Sequence, residues 1–470
     1  MRRGLTVTLT SLSLLVAGDA LANGRYPQSN HVYFSESDPN LIAVRTTFGL
    51  LLSADHGHTF DWICEGAVGF YAQEDPMYTL TAGNRIVVAA YEGVKLSPDR
   101  GCHFEAAKGA VDGHVFVDLA ARPGHTNEIA FLESSYDHVD DAGAAAYQTQ
   151  LWATSDEATT ITRIGPAMDP KLLALTVDLV ASDPNRIYAS GKTSTYQGVF
   201  LVSRDRGTTW ESTPIPLGSS DLGVFIAGVD PSDANRVYLR TSGNASSVPA
   251  RLIVARVGAN AADTTVDTVF TSKGVLPGFA VSPDGKRVWI GGPLDGVLAA
   301  STTDFAFETR SNFEAYCLGV NSDGLWGCST IKSGIVLGLS TDDGKTFTKR
   351  VDLCDVRGPL LCNGTPATYN TCISVWPLQR SLFGCPDPGT PVTPGGTSGS
   401  TGTTGPGAPS SNGGTNGGTN GGGATSVNGT PLTASGSGCS FGSSPPALGA
   451  VAIAALVALV RRRQRKSASA

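Results

Sequence analysis

Nine residues from Ser203 to Glu211 read SRDRGTTWE, and the same polar turn recurs as SADHGHTFD from Ser53, SPDRGCHFE from Ser97 and STDDGKTFT from Ser340. Weaker copies are ATSDEATTI, around Asp156, and STTDFAFET, around Asp304. The aspartates Asp55, Asp99, Asp156, Asp205, Asp304 and Asp342 are separated by 44, 57, 49, 99 and 38 residues. The double interval predicts a missing copy near residue 255, where ARLIVARVG supplies a strand without the turn. Self-similarity at such a period means that one supersecondary unit is stacked many times, which restricts the fold more than any single motif.

A second element keeps the same rhythm: an apolar strand, a Gly, Asp, Asn or Pro turn, and another strand. It is seen in LTVDLVASDPNRIYASG, VFIAGVDPSDANRVYLRTSG and GFAVSPDGKRVWIGG, and seven such pairs can be counted. A third short strand such as GVFLVSRD follows each pair and leads into the polar turn. One unit is therefore four short strands at the spacing of a propeller blade. Seven units closing into a ring would limit the exposed edges of an open array. The expectation is an all-β chain, a seven-bladed β-propeller over residues 28–353.

The pattern Ser-x-Asp-x-Gly-x-Thr-Phe/Trp resembles the Asp-box, or BNR repeat, of sialidase-like and Vps10/sortilin-like propellers. The residues that carry the resemblance are Ser53, Asp55, Gly57, Thr59 and Phe60; Ser97, Asp99, Gly101 and Phe104; Ser203, Asp205, Gly207, Thr209 and Trp210; and Ser340, Asp342, Gly344, Thr346 and Phe347. The resemblance implies a structural turn joining the third and fourth strands of a blade. The chemistry agrees, because an Asp carboxylate accepts from turn amides, Gly permits a positive φ and the aromatic packs beneath. These aspartates are thus read as joints rather than catalysts, and one Asp per turn falls short of the six to eight oxygens that calcium takes.

The two ends differ from the body. Arg2 and Arg3, an apolar run to Val16, and Ala20-Leu21-Ala22 form the zones of a signal peptide over residues 1–22. Residues 386–438 are rich in Gly, Ser and Thr and cannot bury enough apolar surface to offset ordering, so they are read as a flexible linker. Residues 439–470 hold Cys439, an apolar run from Ala447 to Val460 and the cluster RRRQRK. That run is short for a span of about 20 apolar residues. The order of these features resembles the MYXO-CTERM class of sorting tags. The resemblance implies lipidation and cutting at Cys439 by a sorting protease, and a bacterial protein exported and anchored to the outer membrane.

Setting Cys439 aside leaves eight cysteines, an even number that favours disulfides in an exported chain. A hairpin about Asn321-Ser-Asp-Gly324 would place Cys317 opposite Cys328 at bridging distance. Cys64 and Cys102 then read as partners across neighbouring repeats. Cys354, Cys362, Cys372 and Cys385 fall in a Cys-rich appendage, 354–385, stapled within itself by one of three connectivities. No CxxC and no histidine occurs there, so metal is not implied.

The formal charge is −7 and the densest basic cluster is in the tag, which argues against a nucleic-acid surface. No phosphate loop or Gly-x-Ser-x-Gly elbow is present, and no cofactor is implied. A sialidase site would need an arginine triad, yet Arg25-Tyr26-Pro27 stands at the cleavage point, and Arg45 and Arg240, equivalent on their second strands, lack a recognisable third partner. Asp118 and Asp178 hold the same place on adjacent first strands and are the candidate acid and base of a glycoside hydrolase, where such pairs stand about 6.5–9.5 Å apart in inverting enzymes. The competing reading is that they bond to neighbouring backbone. DPNRIYASG also resembles repeats of xyloglucanase-type propellers and photosystem II assembly factors, a likeness that carries no function. The expected function is binding of an extracellular protein, glycan or matrix ligand by loops of one face, with a long loop at 134–150 offering Tyr136, Asp137, His138, Asp140 and Asp141 as a rim.

Overall fold

The computed structural model describes residues 26–386 apart from 71–73, 110, 142 and 365. The signal-peptide reading, Arg25, the linker and the tag with Cys439 lie outside the described residues. Within them the chain winds through seven four-stranded antiparallel sheets, each built from consecutive strands. Blades 1 to 7 span residues 29–63, 77–106, 116–164, 172–215, 221–271, 278–311 and 317–351. The fold is a seven-bladed β-propeller.

Second and third strands are buried almost throughout, as in Ile42–Thr46 and Gly49–Ser53, because each is covered by sheet on both faces. First strands alternate more openly and fourth strands are largely exposed, as in Glu308–Ser311. Apolar clusters form between successive blades, so the core is a ring of seven interfaces rather than one centre.

The polar turns join third to fourth strands and repeat one hydrogen-bond set. In blade 4 the Ser203 hydroxyl donates to Asp205 (2.9 Å) and accepts the Gly207 amide (2.7 Å), while Asp205 accepts the amide and hydroxyl of Thr209 (2.8 and 2.7 Å). Blades 1 and 7 match it through Asp55 and Asp342. In blade 2 the His103 ring stands where Thr does elsewhere. Each motif glycine has positive φ and packs on the preceding blade. A Cβ on Gly101 would meet Ile63 at 2.5 Å, one on Gly207 would meet Leu151 at 3.0 Å, and one on Gly57 would meet Trp326 of blade 7 at 2.9 Å. The turns are therefore joints between blades as well as within them.

Two expectations about them need adjusting. Only Phe60 is fully buried, whereas Phe104, Trp210 and Phe347 are half-buried at the outer edge. Asp304 accepts only the Ala306 amide, and blade 5 replaces the turn with a short 3-10 segment, Ala261–Asp263, capped by Asn260.

No strand is shared between the first and last blades. Their junction is held by a short bridge, Gln28 to Thr330, the Ser29 amide on the Ser329 carbonyl (3.2 Å), and one apolar cluster. The segment after blade 7 then runs back over this junction. The Trp62 amide donates to the Gly358 carbonyl (2.7 Å) and the Leu360 amide to the Trp62 carbonyl (2.8 Å), so that residues 358–360 extend the outer edge of blade 1. Two short helices follow, Ala367–Cys372 and Trp376–Leu382; they place Trp376 on Trp62 (5.1 Å) and Phe383 on Phe48 (4.7 Å).

The cysteine pairing corrects two expectations. Cys64 is not bonded to Cys102: Cys64 pairs with Cys372 and Cys102 with Cys362, with Cα atoms 5.5 and 5.8 Å apart. The 354–385 appendage accordingly has a single internal bridge, Cys354–Cys385. The physical reason is that Cys64 and Cys102 sit at the outer margin of consecutive blades, where the returning segment lies over both. The segment is a covalent clasp across the ring closure. Cys317 and Cys328 are directly paired across their hairpin and bridged, 4.8 Å apart.

Candidate functional site: the cavity at one face of the ring

Antiparallel connection sends the polar turns and the first-to-second turns to one face, and the second-to-third turns and blade-to-blade links to the other. A cavity of about 850 Å³ opens among the latter, lined by the starts of first strands and by the second-to-third turns. The four aspartates of the polar turns are at the opposite face and do not reach it.

Asp118 lines the cavity near its floor, and its carboxylate accepts the Val177 amide of the next blade (2.9 Å). Burial pushes its carboxyl up to about 7 against the Val177 and Leu119 amides, with the charge of Asp178 adding to the rise and Arg45 opposing it. Asp178 is only partly screened from solvent yet lies deep in the ring, and burial pushes it to about 7 as well, opposed by the Leu179 amide (2.8 Å). Each carboxylate is tied to backbone. Asp118 acts as a latch between blades 3 and 4, just as the Thr176 hydroxyl accepts the Ile226 amide between blades 4 and 5 (2.8 Å).

Arg45 and Arg240 both line the cavity, a convergence that sequence equivalence suggested only as position. Arg240 stacks over Phe225 at 5.4 Å, and burial together with the like charge of Arg45 lowers its guanidinium to about 10. His31 stands between these groups and is kept neutral, lowered to about 3 by burial and by both arginines. Lys192 and Tyr196 of blade 4 complete the wall, with the ammonium 4.9 Å from the ring centroid. Sequence inspection passed over His31 and Lys192 because neither lies in a motif; position at the open end of a first or second strand was the only signal.

Residues 134–150 are not a loop. The second and third strands of blade 3 run on as a ribbon, pairing Tyr136 with Tyr147 and Val139 with Ala145 about a turn in which the Asp140 carboxylate accepts the Ala144 amide (2.7 Å). Burial, with Tyr196 and Tyr136 adding to it, raises the Tyr147 phenol. Among the described residues of the ring, every exposed large apolar side chain is on this face: Tyr91, Tyr136, Val139, Tyr196 and Leu294. No three His, Cys, Asp or Glu side chains converge to hold a metal among the described residues, and no helix there is long and apolar enough to cross a membrane.

No family model and no curated protein matches the sequence. Among solved structures, the chain is similar to an ancestral GH74 enzyme (14% identity, TM-score 0.43, 70% of this chain and 38% of that one). It is also similar to the GH74 xyloglucanase of Xanthomonas campestris (13%, TM-score 0.36, 72% and 66%) and to YCF48 of Cyanidioschyzon merolae (13%, TM-score 0.41, 61% and 85%). The chain thus spans well under half the length of the ancestral enzyme.

Proposed function

We propose that this protein is a surface-displayed, non-catalytic binding module that holds an extracellular protein, glycan or matrix ligand at the cavity face. The observation that carries this is the confinement of the ring's exposed aromatic and aliphatic side chains to the face that bears the cavity. Exposed apolar groups gathered around a concavity mark interaction sites, whereas scattered ones need no explanation. The polar turns belong in this reading to the Asp-box class and serve the ring. Residues 1–22 would direct export, and Cys439 would anchor the protein to the outer membrane through the tag and a sorting protease.

A propeller glycoside hydrolase, xyloglucanase-like or sialidase-like, is the second reading, favoured by the raised carboxyls of Asp118 and Asp178. Its weakness is that both carboxylates are engaged by amides.

The test is a glycan array run beside an assay for released reducing ends, on the chain exported through an oxidising compartment. Binding without turnover, lost in a Tyr91→Ala, Tyr196→Ala double variant that melts as the parent does, is the expected result. Sugar release abolished by both Asp118→Asn and Asp178→Asn would establish the hydrolase instead.

A further inference from the structure

The second strands of blades 1, 4 and 5 each bring a cation to the cavity wall: Arg45, Lys192 and Arg240. Lys192 is half-buried, burial lowers its ammonium, and among the described residues its partner is the Tyr196 ring rather than a carboxylate. Three acids stand among the same lining residues, Asp75, Asp118 and Asp221. Asp221 is bonded to Arg251 (2.9 Å) and to the Gly218 amide (2.7 Å), and Asp118 to the Val177 amide. Three cations converging on one cavity in a chain of formal charge −7 are a local arrangement rather than a consequence of composition.

Two further features narrow the ligand. Short amide and hydroxyl side chains, Asn30, Ser220, Ser242 and Asn244, stand among the cations, and the tyrosines Tyr91 and Tyr196 line the mouth. Cations select an anion, hydroxyl and amide groups pair with a polyhydroxylated partner, and a phenol ring offers a platform for the apolar face of a sugar. A concave cavity of about 850 Å³ suits a chain of sugar rings better than the flat surface of a folded protein.

We propose that the ligand held at this face is an acidic polysaccharide whose sugar rings carry carboxylate or sulfate groups. This rests on the binding reading above and adds the ligand class. Lys192 and Arg240 receive the anionic substituent, and the tyrosines stack on the rings at the mouth.

The test uses the full-length protein with its disulfides formed, titrated calorimetrically with oligogalacturonate, with heparin-derived oligosaccharide, and with methyl-esterified oligogalacturonate as the matched neutral probe. One or both acidic probes should bind and weaken as salt is raised; the two probes distinguish carboxylate from sulfate. The ester, and Lys192→Met or Tyr196→Ala with either acid, should each bind at least about tenfold more weakly, at unchanged melting midpoint. Equal binding of the ester would remove the anionic requirement while leaving the binding face intact. Binding of poly-glutamate but of neither glycan would replace the polysaccharide by an acidic peptide. Acid binding undiminished in both variants would put the ligand elsewhere and overturn the binding-face reading too, and failure of both acids to bind would overturn the ligand class alone.

Discussion

The two faces of the ring are built from the same blades and behave in opposite ways. On the polar-turn face the same Ser, Asp and Gly recur, carboxylates are charged and bonded to local amides, and each glycine seats against the preceding blade. On the cavity face no such motif recurs: apart from the equivalent Arg45 and Arg240, the side chains differ, with Tyr91, Lys192 and Leu294 at second-strand ends and turns of other blades. Repetition here marks what every blade needs in order to stack. Departure from it marks where the molecule was free to differ, and function is sought there.

The sharpest break in this comparison comes from the clasp, which runs along the outer edge and is bridged to the blade-2 polar turn through Cys102. Its bridges close sequence separations of 308 and 260 residues, against 11 for Cys317–Cys328. Because loop-closure entropy rises with length, pairing Cys64→Ser with Cys372→Ser, or Cys102→Ser with Cys362→Ser, should each cost about 2–5 kcal/mol, and Cys317→Ser with Cys328→Ser less. Chemical denaturation of the three double variants checks the order; equal losses would show that the segment does not hold the ring closed.

A smaller effect is expected from Gly101→Val, which combines a β-branched residue at φ +91° with a clash against Ile63. It should lower stability by about 2–4 kcal/mol without altering ligand binding at the opposite face, as denaturation and titration would show.

The smallest effect is in pH dependence, where the two faces should have opposite signs. Asp55 in its turn is held at about 2 because hydrogen bonds from Thr59 and Ser53 outweigh the desolvation that would raise it. A depressed folded pKa contributes stability above the unfolded value and loses it as pH falls toward 2. Asp118 and Asp178 are raised to about 7, so their contribution is full below the unfolded value near 3.8 and is lost as pH rises through about 7. The groups acting on Asp118 are Asp178, Arg45 and Tyr33. Asp118→Asn should therefore flatten the fall in stability between about pH 4 and 7 while leaving the acid limb unchanged. A parallel profile in parent and variant would mean that Asp118 does not titrate in that range.

Much of the ring was legible in the chain. The aspartate intervals and strand pairs specify seven units, the gap near residue 255 coincides with the blade that lacks the turn, and the Asn321–Gly324 hairpin sets Cys317 against Cys328. These features are local, made by residues within one blade, and local hydrogen bonding and strand period are written in consecutive residues. The same holds for the ribbon at 134–150, although there the Asp and Gly content read as a loop because long strand pairing can override weak propensity.

What only the tertiary structure decided involves residues far apart in sequence. Cys64 and Cys102 looked like partners because they lie in adjacent repeats; the returning segment, hundreds of residues later, took both. Arg45 and Arg240 looked like equivalent positions without a site, and the ring's curvature brought them, with His31 and Lys192, into one cavity. Repeats record how each blade meets the next, since that contact is the same at every step. The closure of the circle and the contents of its mouth occur once, and a chain carries no periodic trace of a contact that is made only once.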